Sequence, residues 1–154
     1  VLGLTGATVL AVGERHACAI TAAATVVCWG DNDDGQLGDG TEDDRLEPVA
    51  VSGVADAVAL AAGDDFTCAV TAAGAALCWG DNGDGQLGDG TFEDRATAAP
   101  VEGLAGVVTV ATGDDHACAI DAAGLVSCWG DNDHGQLGDG TGDDRPTPGP
   151  VSMP

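Results

Sequence analysis

The sequence superimposes on itself at a period of 50 residues, with no insertions. Cys18, Cys68 and Cys118 coincide, as do Trp29, Trp79 and Trp129. Cys28 to Thr41 reads C-W-G-D-N-D-D-G-Q-L-G-D-G-T. Residues 78–91 and 128–141 repeat it with changes only at the positions of residues 33 and 34. A period of this size built from short strands indicates propeller blades or solenoid units. The units run 1–53, 54–103 and 104–154, as one continuous array. Aromatic residues make up only 3% of the chain, and much of its 44% hydrophobic fraction is Ala and Val. Each unit therefore buries little area, and stability must draw on backbone pairing, covalent links and neighbouring units.

Each unit reads as four short strands. In the first, Ala7 to Val12 is apolar and β-branched, and His16 to Thr21 and Thr25 to Trp29 follow. A last strand is expected around Pro48 to Val51. Strands of this length between Gly and Asp clusters suit a four-stranded antiparallel blade. The second and third strands form a hairpin across Ala22-Ala23-Ala24, whose equivalents end in Gly74 and Gly124. Gly suits a left-handed third loop position, so Ala24 should cost about 1 kcal/mol there.

The pattern G-x-x-H-x-C-A-[IV]-x-x-x-G-x-[VAL]-x-C-W-G-D-N-x-x-G-Q-L-G-D-G-T resembles the regulator of chromosome condensation repeat. The resemblance covers essentially the whole chain. It departs at Phe66, which replaces the His found as His16 and His116, and at Ala24. It implies an all-β fold of propeller-type blades, typically seven in a ring. Three blades are too few to close one. They would form part of a larger propeller or an open repeat array. The ends are in phase: Val1-Leu2-Gly3-Leu4 matches Val51-Ser52-Gly53-Val54, and Val151-Ser152-Met153-Pro154 starts the next turn of the register. A fragment of a longer array, several chains sharing a ring, and head-to-tail units of a filament all fit.

The six Cys fall as three C-x9-C pairs. Zinc sites use much shorter spacings. Direct opposition across a hairpin brings two Cys within disulfide reach. We expect Cys18–Cys28, Cys68–Cys78 and Cys118–Cys128 bonds rather than three pairs of buried thiols. Disulfides imply an oxidising, extracellular compartment.

Trp29, Trp79 and Trp129 invite a ligand reading, but a Trp recurring once per blade beside Gly is expected to pack the blade core. His16 and His116 read as hydrogen-bonded structural residues, since Phe66 can replace them. Arg45, Arg95 and Arg145 each follow an Asp and should bridge carboxylates of their own or the next blade, helping repeats to pack. In the acidic loops, Asp31, Asp33 and Asp34, then Asp39, Glu42, Asp43 and Asp44 gather oxygen ligands of the kind calcium takes. Asp81, Asp89, Asp131, Asp133 and Asp139 occupy corresponding positions. Asp31-Asn32-Asp33 begins like an EF-hand, but its sixth place holds Gln36 instead of Gly. Two readings stay open, an irregular calcium site and turns whose Asp and Asn side chains satisfy loop amides. Likeness to the family's structural loop favours the turns.

There are 26 acidic residues against 4 Arg and no Lys, a net charge of −22. Such a chain repels nucleic acid and anionic membranes and invites cations or basic proteins. No apolar run approaches a membrane span of about 18 residues. No signal peptide is visible and the chain starts at Val1 without Met, as expected of a piece excised from something longer. Catalysis needs a convergent set of unlike residues, whereas these polar groups recur in step. The expected function is a non-enzymatic extracellular structural or adhesive array, joined to other copies of itself head to tail. A secreted propeller that binds a protein partner through an acidic face is the alternative. The family also suggests a guanine-nucleotide exchange factor, which the charge and the cysteines fit poorly.

Overall fold

The computed structural model describes residues 3–152. The end-phase matches at Val1, Leu2, Met153 and Pro154 lie outside them. The described residues form twelve strands in three sheets. The first sheet holds β1 (Ala7–Val12), β2 (His16–Thr21), β3 (Val26–Gly30) and β4 (Arg45–Ala50). The second holds β5 (Ala57–Ala62), β6 (Phe66–Thr71), β7 (Ala76–Gly80) and β8 (Arg95–Pro100). The third holds β9 (Val107–Thr112), β10 (His116–Asp121), β11 (Val126–Gly130) and β12 (Arg145–Pro150). Each is a four-stranded antiparallel meander whose strands pair in sequence order, which is the blade the repeat predicts.

The fourth strand starts earlier than its apolar residues suggest. Arg45 pairs with Gly30 across a register shift between Cys28 and Gly30, and Arg95 and Arg145 do the same in their blades. The shift lets β4 leave the acidic loop directly, so a charged residue opens the strand. At the hairpin, Ala24 has φ 58°, beside 78° at Gly74 and 83° at Gly124. The left-handed loop position is real, and Ala24 bears its cost.

Cys18 pairs directly with Cys28 across β2 and β3, and a disulfide joins them at a Cα separation of 4.1 Å. Cys68–Cys78 and Cys118–Cys128 repeat this arrangement.

Two hydrophobic clusters make the core, and each lies between blades. One joins Cys18, Ile20, Val26, Cys28, Leu37 and Val51 of the first blade to Ala57, Ala69 and Trp79 of the second. The other joins the equivalent face of the second blade to Val107, Val110, Ala117, Ala119 and Trp129 of the third. A sheet of Ala, Val and Cys is too thin to bury itself, so every blade has a front and a back that need a neighbour. Among the described residues, no helix is long and apolar enough to cross a membrane.

Candidate functional site: the seam between blades and its open ends

The repeated W-G-D-N-x-x-G-Q-L-G segment builds the seam. Asn32 is fully buried and ties the loop shut. Its Nδ2 donates to the Thr41 and Asp43 carbonyls, and its Oδ1 accepts from the Leu37 amide. Asp44 accepts from the Asn32 amide at 2.9 Å. Gln36, also fully buried, donates to Asp31 and accepts from the Asp34 amide. The loop's amides are thus satisfied by its own side chains, which is the turn reading of the motif.

The closed loop docks on the next blade. Trp79 is fully buried and its Nε1 donates to the Gln36 carbonyl at 2.8 Å. Trp129 does the same to Gln86 at 2.9 Å. The Trp therefore packs the seam rather than the interior of its own blade. Gly38 must be Gly: its φ is +68°, and a Cβ there would sit 2.8 Å from Trp79 Cδ1. Gly35 meets Ala96, and Gly85 meets Pro146, each 2.6 Å from a notional Cβ to the facing Cα. The Gly40 amide donates to the Ala96 carbonyl, and Gly90 to Pro146, both at 2.9 Å.

The two seams are filled differently. His16 is buried, with Nε2 2.8 Å from Thr67 Oγ1, and Thr67 donates onward to the Gln36 carbonyl. Burial lowers the pKa of this ring against the pull of Asp65. In the next seam Phe66 and Ala117 stand at these positions, both buried. His116 lies over Gly113 in the third blade, where no following blade covers it.

Arg45, Arg95 and Arg145 each pair with the Asp of their own loop, Asp39, Asp89 and Asp139. They do not tie repeat to repeat. Arg145 also donates to the Cys128 and Gly149 carbonyls. Burial tends to raise the Asp39 carboxyl, but hydrogen bonds from Thr41 and Arg45 outweigh it and hold it below its ordinary range. The cation that crosses a seam is Arg15, which the repeat pattern hides because Asp65 and Asp115 stand at its place. Its guanidinium lies 3.8 Å from Asp31 and 3.5 Å from Asp65 of the second blade, and Gln36 also donates to Asp65. Without such a partner, Asp115 is pushed up to about 6 by burial, then by Asp84, Asp64, Asp81 and Asp114.

Of the expected calcium ligands, Asp39, Asp89 and Asp139 are engaged by Thr and Arg. Asp43 is exposed, and its carbonyl serves Asn32. Among the described residues, two carboxylate groups could hold a cation: Asp34 with Asp81 and Asp94 across the first seam, and Asp131 with Asp133 and Asp144 in the third blade. Asp31 faces Arg15, and Asp33 joins neither group. Asp34 reaches Asp81 and Asp94 only across the seam, whereas Asp144 meets Asp131 and Asp133 within its own blade. At the inner strands, the Glu14 amide donates to the Asp64 carbonyl and Asp64 to Asp114, setting three acidic residues side by side.

The outer blades leave half a seam open at each end. On the front of the first, Trp29 is only half-buried and Leu46, the equivalent of Ala96, is 97% exposed. On the back of the third, Ile120 is 40% exposed where Ile20 and Val70 are buried, and Gly124, Leu125, Val126 and Val151 line an apolar groove.

The chain matches the regulator of chromosome condensation (RCC1) repeat over residues 25–70, 73–120 and 123–154, and a second model of that repeat over 8–36, 57–86 and 107–136. It is similar to a chain in the structure of Kap60 bound to yeast RCC1 (Prp20), with TM-score 0.87 and 22% identity over 98% of this chain and 38% of that one. Human WBSCR16 gives TM-score 0.85 and 25% identity, over 96% and 40%. The human E3 ubiquitin-protein ligase HERC2 is 44% identical over 45 residues, 29% of this chain and 1% of that protein. The chain thus spans about two fifths of the solved propellers it resembles and a small part of HERC2.

Proposed function

The chain belongs to the regulator of chromosome condensation (RCC1) repeat family, and from that premise we propose a non-enzymatic extracellular structural or adhesive array. Its units are 1–53, 54–103 and 104–154, and its end blades join head to tail with further blades into a polymer or fibre. The supporting observation is an interface used twice, in which the front of one blade fits the back of the blade before it, so the same joint can continue the array beyond the three blades described. Such a heterologous joint makes a ring if its rotation closes and a filament if it does not.

The polar residues of each blade are used in holding loops and seams, which supports a scaffold rather than an enzyme. Three disulfides are compatible with an extracellular protein. The side-by-side placing of Glu14, Asp64 and Asp114 favours a second reading, capture of a basic protein partner at the inner mouth. Exchange-factor activity has only the family behind it.

The test is the mass of the native protein under non-reducing conditions over a range of concentrations, with and without a calcium chelator. Large or filamentous assemblies support the array, and their dissolution by chelator would assign a cation to the seam carboxylates. Particles of six to eight blades support a closed recognition propeller and exclude the fibre.

A further inference from the structure

We propose that the third blade carries a binding site for a primary alkylammonium group, with Asp121 and Ser127 as its polar anchors. The site lies within the described fold and does not depend on whether the blades continue into an array.

Three departures from the repeat converge on one place. Asp121 stands where the first two blades have Thr21 and Thr71, Leu125 where they have Thr25 and Ala75, and Ser127 where they have Val27 and Leu77. All three line a cavity of about 100 Å³ together with Leu104, Val107 and Ala119. Ala119 pairs with Ser127 across β10 and β11, and Asp121, two residues on, shares that face of the sheet. Ala119 belongs to the core between the second and third blades, so this is the side of the third blade that already has its neighbour.

The Asp keeps the work of the Thr and adds to it. Thr21 accepts from the Ala23 amide and Thr71 from the Ala75 amide, which shapes the hairpin tip. Asp121 does this with one oxygen: its Oδ1 accepts from the Ala123 amide at 2.8 Å and the Leu125 amide at 2.9 Å. Among the described residues its Oδ2 has no hydrogen-bond partner, and the four Arg pair with other carboxylates. Ser127 is only 9% exposed, and its hydroxyl also lacks a partner among the described residues. A buried polar group without a partner is costly, and a ligand in the cavity would supply the missing bonds.

The lining selects the ligand. One carboxylate and one hydroxyl are too few oxygens for calcium, which takes about six to eight. An anion would meet Asp121 and a net charge of −22. A neutral apolar molecule would leave both polar groups unpaired. A primary ammonium has three donors, enough for Asp121 Oδ2, Ser127 Oγ and one water, while its alkyl chain lies against Leu104, Val107, Ala119 and Leu125. Volume sets the length of that chain. A cavity of about 150 Å³ takes a benzene ring, so one of about 100 Å³ takes about four heavy atoms. That is the size of n-propylammonium or of the outer end of a lysine side chain.

The test is saturation-transfer NMR of n-propylammonium with the 154-residue chain, at about 0.15 M salt to screen the exposed acidic loops. Binding should saturate with a Kd of about 1 mM. n-Propanol has the size without the charge and should bind at least about tenfold more weakly. Asp121→Asn keeps an acceptor for the two tip amides but loses the charge, so binding should fall at least about tenfold in a folded chain. Ser127→Leu restores the residue of the second blade, fills the cavity and should abolish binding. Competition by Nα-acetyl-lysine methylamide at equal or lower concentration would make the occupant a lysine side chain, and no competition a small free amine; either supports the site. If Asp121→Asn binds n-propylammonium as well as the unmodified chain does, if n-propanol binds equally, or if the signal never saturates, the cavity is not an ammonium site.

Discussion

Between the first and second blades, a buried imidazole bonds Thr67, and Arg15 reaches across to Asp65. Between the second and third, Phe66, Ala117 and Asp115 stand in those places, and the seam is more apolar at its centre and more repulsive at its rim. The hairpin tips differ in the opposite sense. Ala24 and Asp56 both hold positive φ in the first seam, where the second has Gly74 and Gly106. Both seams nevertheless keep Trp under the preceding loop, Gly at the contact and a buried Asn and Gln behind it. The lesson is that the frame of a blade interface is set by a few close backbone approaches, while its filling is free to trade hydrogen bonds for apolar contact.

The largest effect should come from the shared frame. Trp79→Ala and Trp129→Ala should each cost about 3–5 kcal/mol in denaturant unfolding. If one is nearly silent, the seams do not share a frame. Next, Thr67→Ala removes the partner of His16 and leaves a buried polar ring, costing about 1–3 kcal/mol. Ala117 already occupies the equivalent place in the second seam without that cost, so Phe66→His there should be harmful unless Ala117→Thr accompanies it.

Acid should separate the seams further. The depressed His16 pKa means that its contribution is present above about 6.5 and is lost as pH falls below that value. Asp115 behaves oppositely. Its folded value of about 6 lies above the unfolded one of about 4, so stability is fullest below about 4 and declines as pH rises to about 6. Asp115→Asn should remove that decline and stabilise the chain by about 1 kcal/mol at pH 7, after allowance for solvent screening. The smallest effect is local: Ala24→Gly should gain about 0.5–1 kcal/mol in thermal unfolding.

The repeat made the blades legible, because strand length, hairpin symmetry and cysteine opposition are local properties of one unit. Cys18 and Cys28 could be paired from their places about residue 23 alone. Trp29, Trp79 and Trp129 were legible as packing residues, but not as packing between blades, since a single unit does not say which surface is thin. Arg45 could be matched to a carboxylate, yet its partner Asp39 lies in its own loop. Arg15 was missed because it breaks the repeat, and the meeting of Asp34 with Asp81 and Asp94 because it forms only where two blades converge. Periodicity reveals what units have in common, whereas the charge that distinguishes one end of the chain from the other sits at the exceptions.

Amide hydrogen exchange at Gly140, compared with Gly40 and Gly90, tests most directly whether the joint continues beyond the three blades described. The Gly40 and Gly90 amides donate to the next blade's backbone and should be protected at any concentration. Gly140 should exchange fast in dilute solution, and its protection should rise toward that of Gly90 as the protein is concentrated. Protection at Gly140 that never changes with concentration, while the mass of the particles grows, would mean that copies meet by some other surface.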